Sequence, residues 1–221
     1  MNKTYIIGNW KSNKTSSDVR GWFESISQMK SEFGDLDNKA IILCPPFHHL
    51  ALSSALIQEY ELPFELGAQD VSPFEMGAYT GEIAAAQLKE YVSYVIVGHS
   101  ERRKNFSETD EMVAAKVKMA LKEELKPIVC VQGKDTPIPE GAKIIAYEPV
   151  FAIGTGKADN PEDAEEVLKF FREKGIETTI YGGSVNPDNV LSFVEKDSID
   201  GVLPGTDSLD PKLFAEIIHN I

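Results

Sequence analysis

Three apolar runs in this sequence lead into residues able to do acid–base or electrostatic chemistry. Glu148 closes "IIAYE", His99 follows "YVIVG", and Lys11 follows "YIIGNW". A carboxylate can take a proton, an imidazole can lend one, and an ammonium supplies fixed positive charge. Glu148 carries the sharpest pattern. It is followed by Pro149 and then by Gly154, Thr155 and Gly156 within "AYEPVFAIGTGKA". A turn alone would need less, so the stretch reads as a carboxylate at the mouth of a strand leading into a segment able to move as a unit. Each group also has a plainer reading: a strand-end ion pair for Glu148, a structural hydrogen bonder for His99, a solvated loop lysine for Lys11. His48 and His49, after "ILCPPF", take the structural reading.

The elements that must hold these residues are legible from hydrophobic pattern. "TYIIGNW", "AIILCPP", "FELGAQD", "YVIVGHS", "PIVCVQG", "IIAYEP", "TTIYGG" and "IDGVLPG" are continuously apolar, as parallel strands buried on both faces are. Between them run helical stripes: Val19, Trp22, Phe23, Ile26 and Met29; Val113, Val117, Ala120 and Leu121; Ala164, Val167, Leu168 and Phe171. Asn160-Pro161, Asn186-Pro187 and Asp210-Pro211 each offer an N-cap followed by proline at the first helical position. Strict βα alternation leaves an open doubly wound sheet or a closed barrel. Asn9, Lys11, Gln69, His99, Glu148, Gly182, Gly183 and Gly205 all fall at or just beyond strand C-termini, which in a barrel surround one mouth. The connection "KDTPIPEGA" is too short and too rich in proline for a crossover helix, so the unit between strands 5 and 6 is expected to have lost its helix.

Composition sets the outer limits. A chain of 221 residues, 42% hydrophobic and 26% charged, suits one α/β domain over 1–221. No run approaches a membrane span and the N-terminus lacks a signal-peptide core, so the chain reads as cytoplasmic. A formal net charge of −13 argues against nucleic-acid or anionic-membrane partners; an anionic ligand would have to be held locally. Cys44 and Cys130 sit inside apolar runs without metal-ligand spacing and read as buried reduced thiols.

Taken in order, "GNWK", "GAYTGE", "GHSERR", "YEPVFAIGTGK", "YGGSV" and the weaker "DGVLPGTDSL" resemble the triosephosphate isomerase family from Gly8 to the C-terminal helix. That resemblance implies a (β/α)8 TIM barrel without metal or organic cofactor. It implies interconversion of dihydroxyacetone phosphate and glyceraldehyde 3-phosphate, a step of glycolysis and gluconeogenesis. Glu148 matches the family's base and His99 its electrophile, an assignment that is a standard example for this family. The "SERR" turn after His99 would present amides that favour a neutral ring. Lys11 would supply charge to the enediolate and phosphate, with Asn9 as a donor beside it. Glu101 would hold Lys11, or else pair with Arg102 or Arg103 at the surface. Pro149 and Val150 would form one hinge and Thr155 to Lys157 the other, with the Gly154 amide closing on phosphate. Ser184, Gly205 and Thr206 would complete the phosphate site in the loops after strands 7 and 8.

The chain also departs from the family pattern. Phe151 stands where the lid usually has tryptophan, and "CVQG", Cys130 to Gly133, replaces "CIGE". "PGTDS", Pro204 to Ser208, replaces "VGGAS", and Asp207 adds negative charge where an anion should bind. "SPFEMGAYTGE", Ser72 to Glu82, matches the loop that enters a neighbouring subunit, where Thr80 would brace Asn9 and His99. A homodimer is the simplest assembly. Two competing readings are a catalytically silent barrel binding a phosphorylated metabolite or partner, and a barrel isomerase acting on another sugar phosphate.

Overall fold

The computed structural model describes residues 3–149 and 158–221. Eight parallel strands, β1 (Thr4–Asn9), β2 (Lys39–Cys44), β3 (Phe64–Ala68), β4 (Tyr94–Val97), β5 (Lys126–Val131), β6 (Ile144–Tyr147), β7 (Thr178–Tyr181) and β8 (Gly201–Val202), close into a barrel in chain order. This decides between the two architectures that alternation alone leaves open. The seam is short: only Tyr5 with Gly201 and Ile6 with Val202 pair across it. Gly201 permits that approach, because a Cβ there would stand 2.1 Å from the Tyr5 carbonyl oxygen.

Outside the sheet lie α1 (Ser16–Gln28), α2 (Leu50–Glu59), α3 (Ala85–Leu88), α4 (Ser100–Phe106), α5 (Asp110–Lys122), α6 (Pro161–Glu173), α7 (Val190–Val194) and α8 (Pro211–His219). Residues 132–143, between β5 and β6, contain no helix, as the proline-rich connection predicts. None of the helices among the described residues is long and apolar enough to cross a membrane.

Because successive strand residues face opposite ways, the chain builds two apolar layers. Ile7, Ile42, Cys44, Ile96, Ile128, Cys130, Ala146 and Ile180 fill the barrel interior. Their neighbours, such as Ile6, Leu43, Val97, Val129 and Ile145, meet the helix stripes outside. Both cysteines are buried free thiols, and burial pushes both thiols up from their ordinary value.

Two details differ from the sequence reading. In α5 the buried face is Val113, Lys116, Val117 and Ala120, while Leu121 is exposed. Leu121 lies one position beyond the i, i+3, i+4, i+7 stripe, and a lysine occupies a core position that pattern alone assigns to solvent. The Asn186-Pro187 pair does not cap α7 directly. Asn186 Oδ1 accepts the N–H groups of Asp188 and Asn189, both at 2.9 Å, forming a turn that precedes the helix. Asn160 and Asp210 do cap α6 and α8 through side-chain hydrogen bonds.

Candidate active site

The strand parity that fills the barrel also delivers two candidate site residues. Positions 5, 7 and 9 of β1 and positions 144, 146 and 148 of β6 and its end alternate inward, so Asn9 and Glu148 arrive at the mouth directly above Ile7 and Ala146. Asn9 is 4% exposed and Glu148 only 1%. Gly182, just past β7, makes room for the carboxylate: a Cβ there would lie 3.1 Å from Glu148 Cγ.

His99 is the N-cap of α4. Its Nδ1 accepts the Glu101 N–H at 3.2 Å, which leaves the ring proton on Nε2. Nε2 is 2.9 Å from Glu148 Oε1 and donates to it, and Ser100 N–H donates to Glu148 Oε2 at 2.9 Å. This pattern of bonds is that of an imidazole carrying its proton on Nε2. Burial opposes charge on His99, but Glu148 and then Glu101 more than offset it and raise the ring's proton affinity. An added proton would have to displace the Glu101 N–H from Nδ1.

For Glu148, burial pushes the carboxyl upward, yet His99 and Ser100 outweigh it and hold the pKa below its ordinary value. In this arrangement a buried carboxylate with two N–H donors is favoured as the anion.

Lys11 sits in a left-handed backbone conformation, φ 51°. Three contacts hold it. Asn9 Oδ1 accepts its N–H at 3.0 Å, Gln69 Nε2 donates to its carbonyl at 2.9 Å, and its Nζ pairs with Glu101 Oε1 at 2.7 Å. Of the alternatives for Glu101, the Lys11 pair is the one formed. Gln69, which the sequence places at a strand end without a role, also donates to the Cys44 carbonyl at 2.8 Å and so ties the Lys11 loop to β2.

The loop after β8 reaches the same place. A Cβ on Gly205 would stand 3.2 Å from Lys11 Cε and 3.6 Å from Nζ, so this loop passes beside the ammonium. Trp10 Nε1 donates to the Ser208 carbonyl at 3.0 Å, fixing the loop to β1. Ser184 follows β7, where its carbonyl accepts from Asn189 Nδ2 at 3.0 Å, and Thr206 is exposed in the 3-10 turn Thr206–Leu209. Asn9, Lys11, His99, Glu101 and Glu148 are thus joined by direct contact, with Gly205 passing beside Lys11. Val150, Phe151, Gly154 and Thr155 to Lys157 lie outside the described residues. Thr80 is exposed on the protruding loop.

The sequence profile described as "Triosephosphate isomerase" matches residues 4–141 and 139–221. Together the two pieces span nearly the whole chain. The chain belongs to the triosephosphate isomerase family. It is 41% identical over 254 residues to a triosephosphate isomerase of Caldanaerobacter subterraneus subsp. tengcongensis, with 99% of this chain and 100% of the relative covered. It is 37% identical to one from Dictyoglomus turgidum, with both chains covered completely. The crystal structure of triosephosphate isomerase from Bartonella henselae superposes with a TM-score of 0.82 at 30% identity, covering 97% of each chain.

Set beside triosephosphate isomerases, this chain is short. Alignments of 254 residues against a chain of 221 mean that the relatives carry segments absent here. The two pieces of the family profile meet at 139–141, within the connection that has no helix between β5 and β6. At Gly133 the chain makes a tight turn: Thr136 N–H donates to the Gly133 carbonyl at 3.1 Å, and Gln132 N–H to Thr136 Oγ1 at 3.0 Å.

Asp207 is the departure with an electrostatic consequence. The 3-10 turn that contains it has no side-chain cap, so Asp207 does not offset its charge by capping. Burial, and then Asp210, raise its pKa above the ordinary 3.8. A carboxyl whose folded pKa exceeds its unfolded value costs nothing at low pH, where both states hold the proton. It costs stability once the pH rises past the folded value. Asp207→Asn is therefore expected to raise Tm at neutral pH, with the gain vanishing as the pH falls below 3.8. In the same variant, inhibition by inorganic phosphate should tighten, and added inert salt should shrink that change. A pH series of melting curves and a phosphate inhibition series check both halves.

Proposed function

We propose that the barrel mouth interconverts dihydroxyacetone phosphate and glyceraldehyde 3-phosphate by proton transfer, with Glu148 as the base and His99 as the neutral acid. The observation that carries this reading is the buried pair: a carboxylate and an Nε2–H at 2.9 Å, at the end of the barrel and beside a fixed ammonium. In the forward direction the Glu148 carboxylate exchanges its present N–H donors for substrate and takes a proton from C1 of the ketose. The C–H electron pair becomes the C1–C2 double bond, and the carbonyl pair moves to O2. His99 Nε2–H and Lys11 Nζ stabilise that oxyanion. A proton then passes from O1 to O2 by way of His99, and Glu148 returns its proton to C2, leaving an aldehyde at C1. Every proton and electron pair is conserved, so the residues complete an isomerisation among themselves.

We place the phosphate at the end of the mouth beside Lys11 Nζ and the Gly205 loop, with Ser184, Thr206 and the Gly154 amide as further contacts. An enzyme of glycolysis and gluconeogenesis meets these metabolites in the cytoplasm, and we assign the chain there. The test is a coupled assay of purified protein with glyceraldehyde 3-phosphate. Isomerase turnover abolished by Glu148→Gln supports the reading. A folded protein that binds phosphorylated metabolites without turnover would establish the silent-barrel alternative.

Assembly follows from the protruding loop. Phe74, Met76 and Tyr79 are 45%, 67% and 45% exposed, and the Phe74 and Tyr79 rings stack at 4.2 Å, giving a preformed apolar knob. We assign it to the neighbouring subunit of a homodimer, where Thr80 would contact Asn9 and His99 of the partner. Deleting the "PFEMGAY" tip is expected to yield monomers with poor activity. Sedimentation and a kcat measurement on that variant check it, and a fully active monomer would remove the cross-subunit role.

A further inference from the structure

The His99 ring is held at its two nitrogens by the Glu101 N–H and by Glu148, and the peptide units on either side of the residue are both bonded by Arg103. Its backbone N–H donates to the His99 carbonyl at 3.1 Å, and its Nε donates to the Gly98 carbonyl at 2.9 Å. Gly98 is left-handed, φ 71°, and a Cβ there would meet the Arg103 Nη2 and Val113 at 3.1 Å, so the guanidinium lies against the glycine. The Gly98 N–H is held in turn by Glu108 Oε2 at 3.1 Å.

Both clamps are anchored. Arg103 NH1 donates to Asp110, in the first turn of α5, at 2.6 Å. Glu108 is held by Arg102 at 3.0 Å and by buried Lys116, which also reaches Asp70 at 2.7 and 2.8 Å. The guanidinium is mostly buried, and its Nη2 has no hydrogen-bond partner among the described residues. An orphaned donor is a cost that a purely structural arginine could relieve by turning. Turning would release Gly98.

We propose that Arg103 is a positioning residue for His99, acting through the Gly98 carbonyl and braced by Asp110. The proposal rests on the reading of His99 as the catalytic acid. Sub-ångström displacement of an acid from the reacting oxygen is costly; about 1 Å can cost 10²-fold. Substrate affinity, set elsewhere by Lys11 and the loops after β7 and β8, should barely change.

The experiment compares Arg103→Met, Asp110→Asn and His99→Gln with the unchanged protein, using kcat, KM and 15N spectra of the histidine ring. Arg103→Met is expected to lower kcat about tenfold with KM within about twofold, and to shift the His99 Nδ1 resonance as its bond from Glu101 N–H loosens. Asp110→Asn, which leaves the arginine in place but weakens its anchor, should show a smaller loss of the same kind. It carries the test if Arg103→Met does not fold. Variants that melt earlier but keep kcat and the His99 resonance would overturn the proposal and leave Arg103 a structural residue. If His99→Gln itself keeps normal kcat, the role of His99 falls and this proposal with it. If His99→Gln is inactive while Arg103→Met and Asp110→Asn are not, the positioning role alone is wrong.

Discussion

Replacing Glu148 by glutamine is expected to lower kcat roughly 10³- to 10⁴-fold while KM changes little, the signature of a lost proton acceptor. The substitution is nearly isosteric, but glutamine has one acceptor oxygen. It can keep the bond from His99 Nε2–H or the one from Ser100 N–H, and its NH2 must face the other donor. Some stability is therefore lost together with the chemistry. The pH dependence separates the two effects. The folded Glu148 has a pKa held below the ordinary 4.5, so it contributes stability that is present above 4.5 and lost as the pH falls through the folded value. Glutamine does not titrate. Denaturant titrations between neutral and acidic pH should show the wild-type advantage disappear in acid, leaving a flatter profile in the variant. Near-normal turnover in Glu148→Gln would move the base elsewhere.

The barrel was legible because its two signals are redundant. Continuous apolar strands require burial on both faces, and the polar residues cluster at one end of those strands, which makes sense only if the ends converge. Asn9 and Glu148 follow from the same parity that aims Ile7 and Ala146 inward. The parts that were not legible depend on contacts distant in sequence. Lys116 looked like a solvent residue of α5 because its partners, Asp70 and Glu108, come from the end of β3 and the turn before the helix. The lowered pKa of Glu148 comes first from His99 and then from the backbone amide of Ser100, and amides carry no residue-type signal. Gln69 is legible as a polar residue directly after "FELGA", but its target is not: the Lys11 carbonyl lies fifty-eight positions away.

Lys11→Ala is expected to lower kcat about 10²- to 10³-fold and also to raise KM, because one ammonium serves both the developing oxyanion and the phosphate. The backbone complicates the reading. At φ 51° any side chain with a Cβ is strained, so alanine inherits the strain of lysine and loses its compensation, the 2.7 Å pair with Glu101. Glycine at the same position relieves the strain. Lys11→Gly should thus be more stable than Lys11→Ala by roughly 1 to 2 kcal/mol, while the two show the same loss of activity. This pattern would assign the catalytic effect to charge and the stability effect to conformation. The hydrogen bonds from Gln69 and to Asn9 involve only the main chain of residue 11, so the loop should keep its path in both variants. Glu101, 42% exposed, then loses its cation without being buried alone, and its cost to stability stays small. Chemical rescue gives an independent check. A small alkylammonium ion can occupy the space vacated by the side chain, beside Gly205, and should restore part of kcat in Lys11→Gly in a saturable way. Substrate affinity unchanged in both variants would remove Lys11 from the phosphate site, and undiminished kcat would remove it from the reaction.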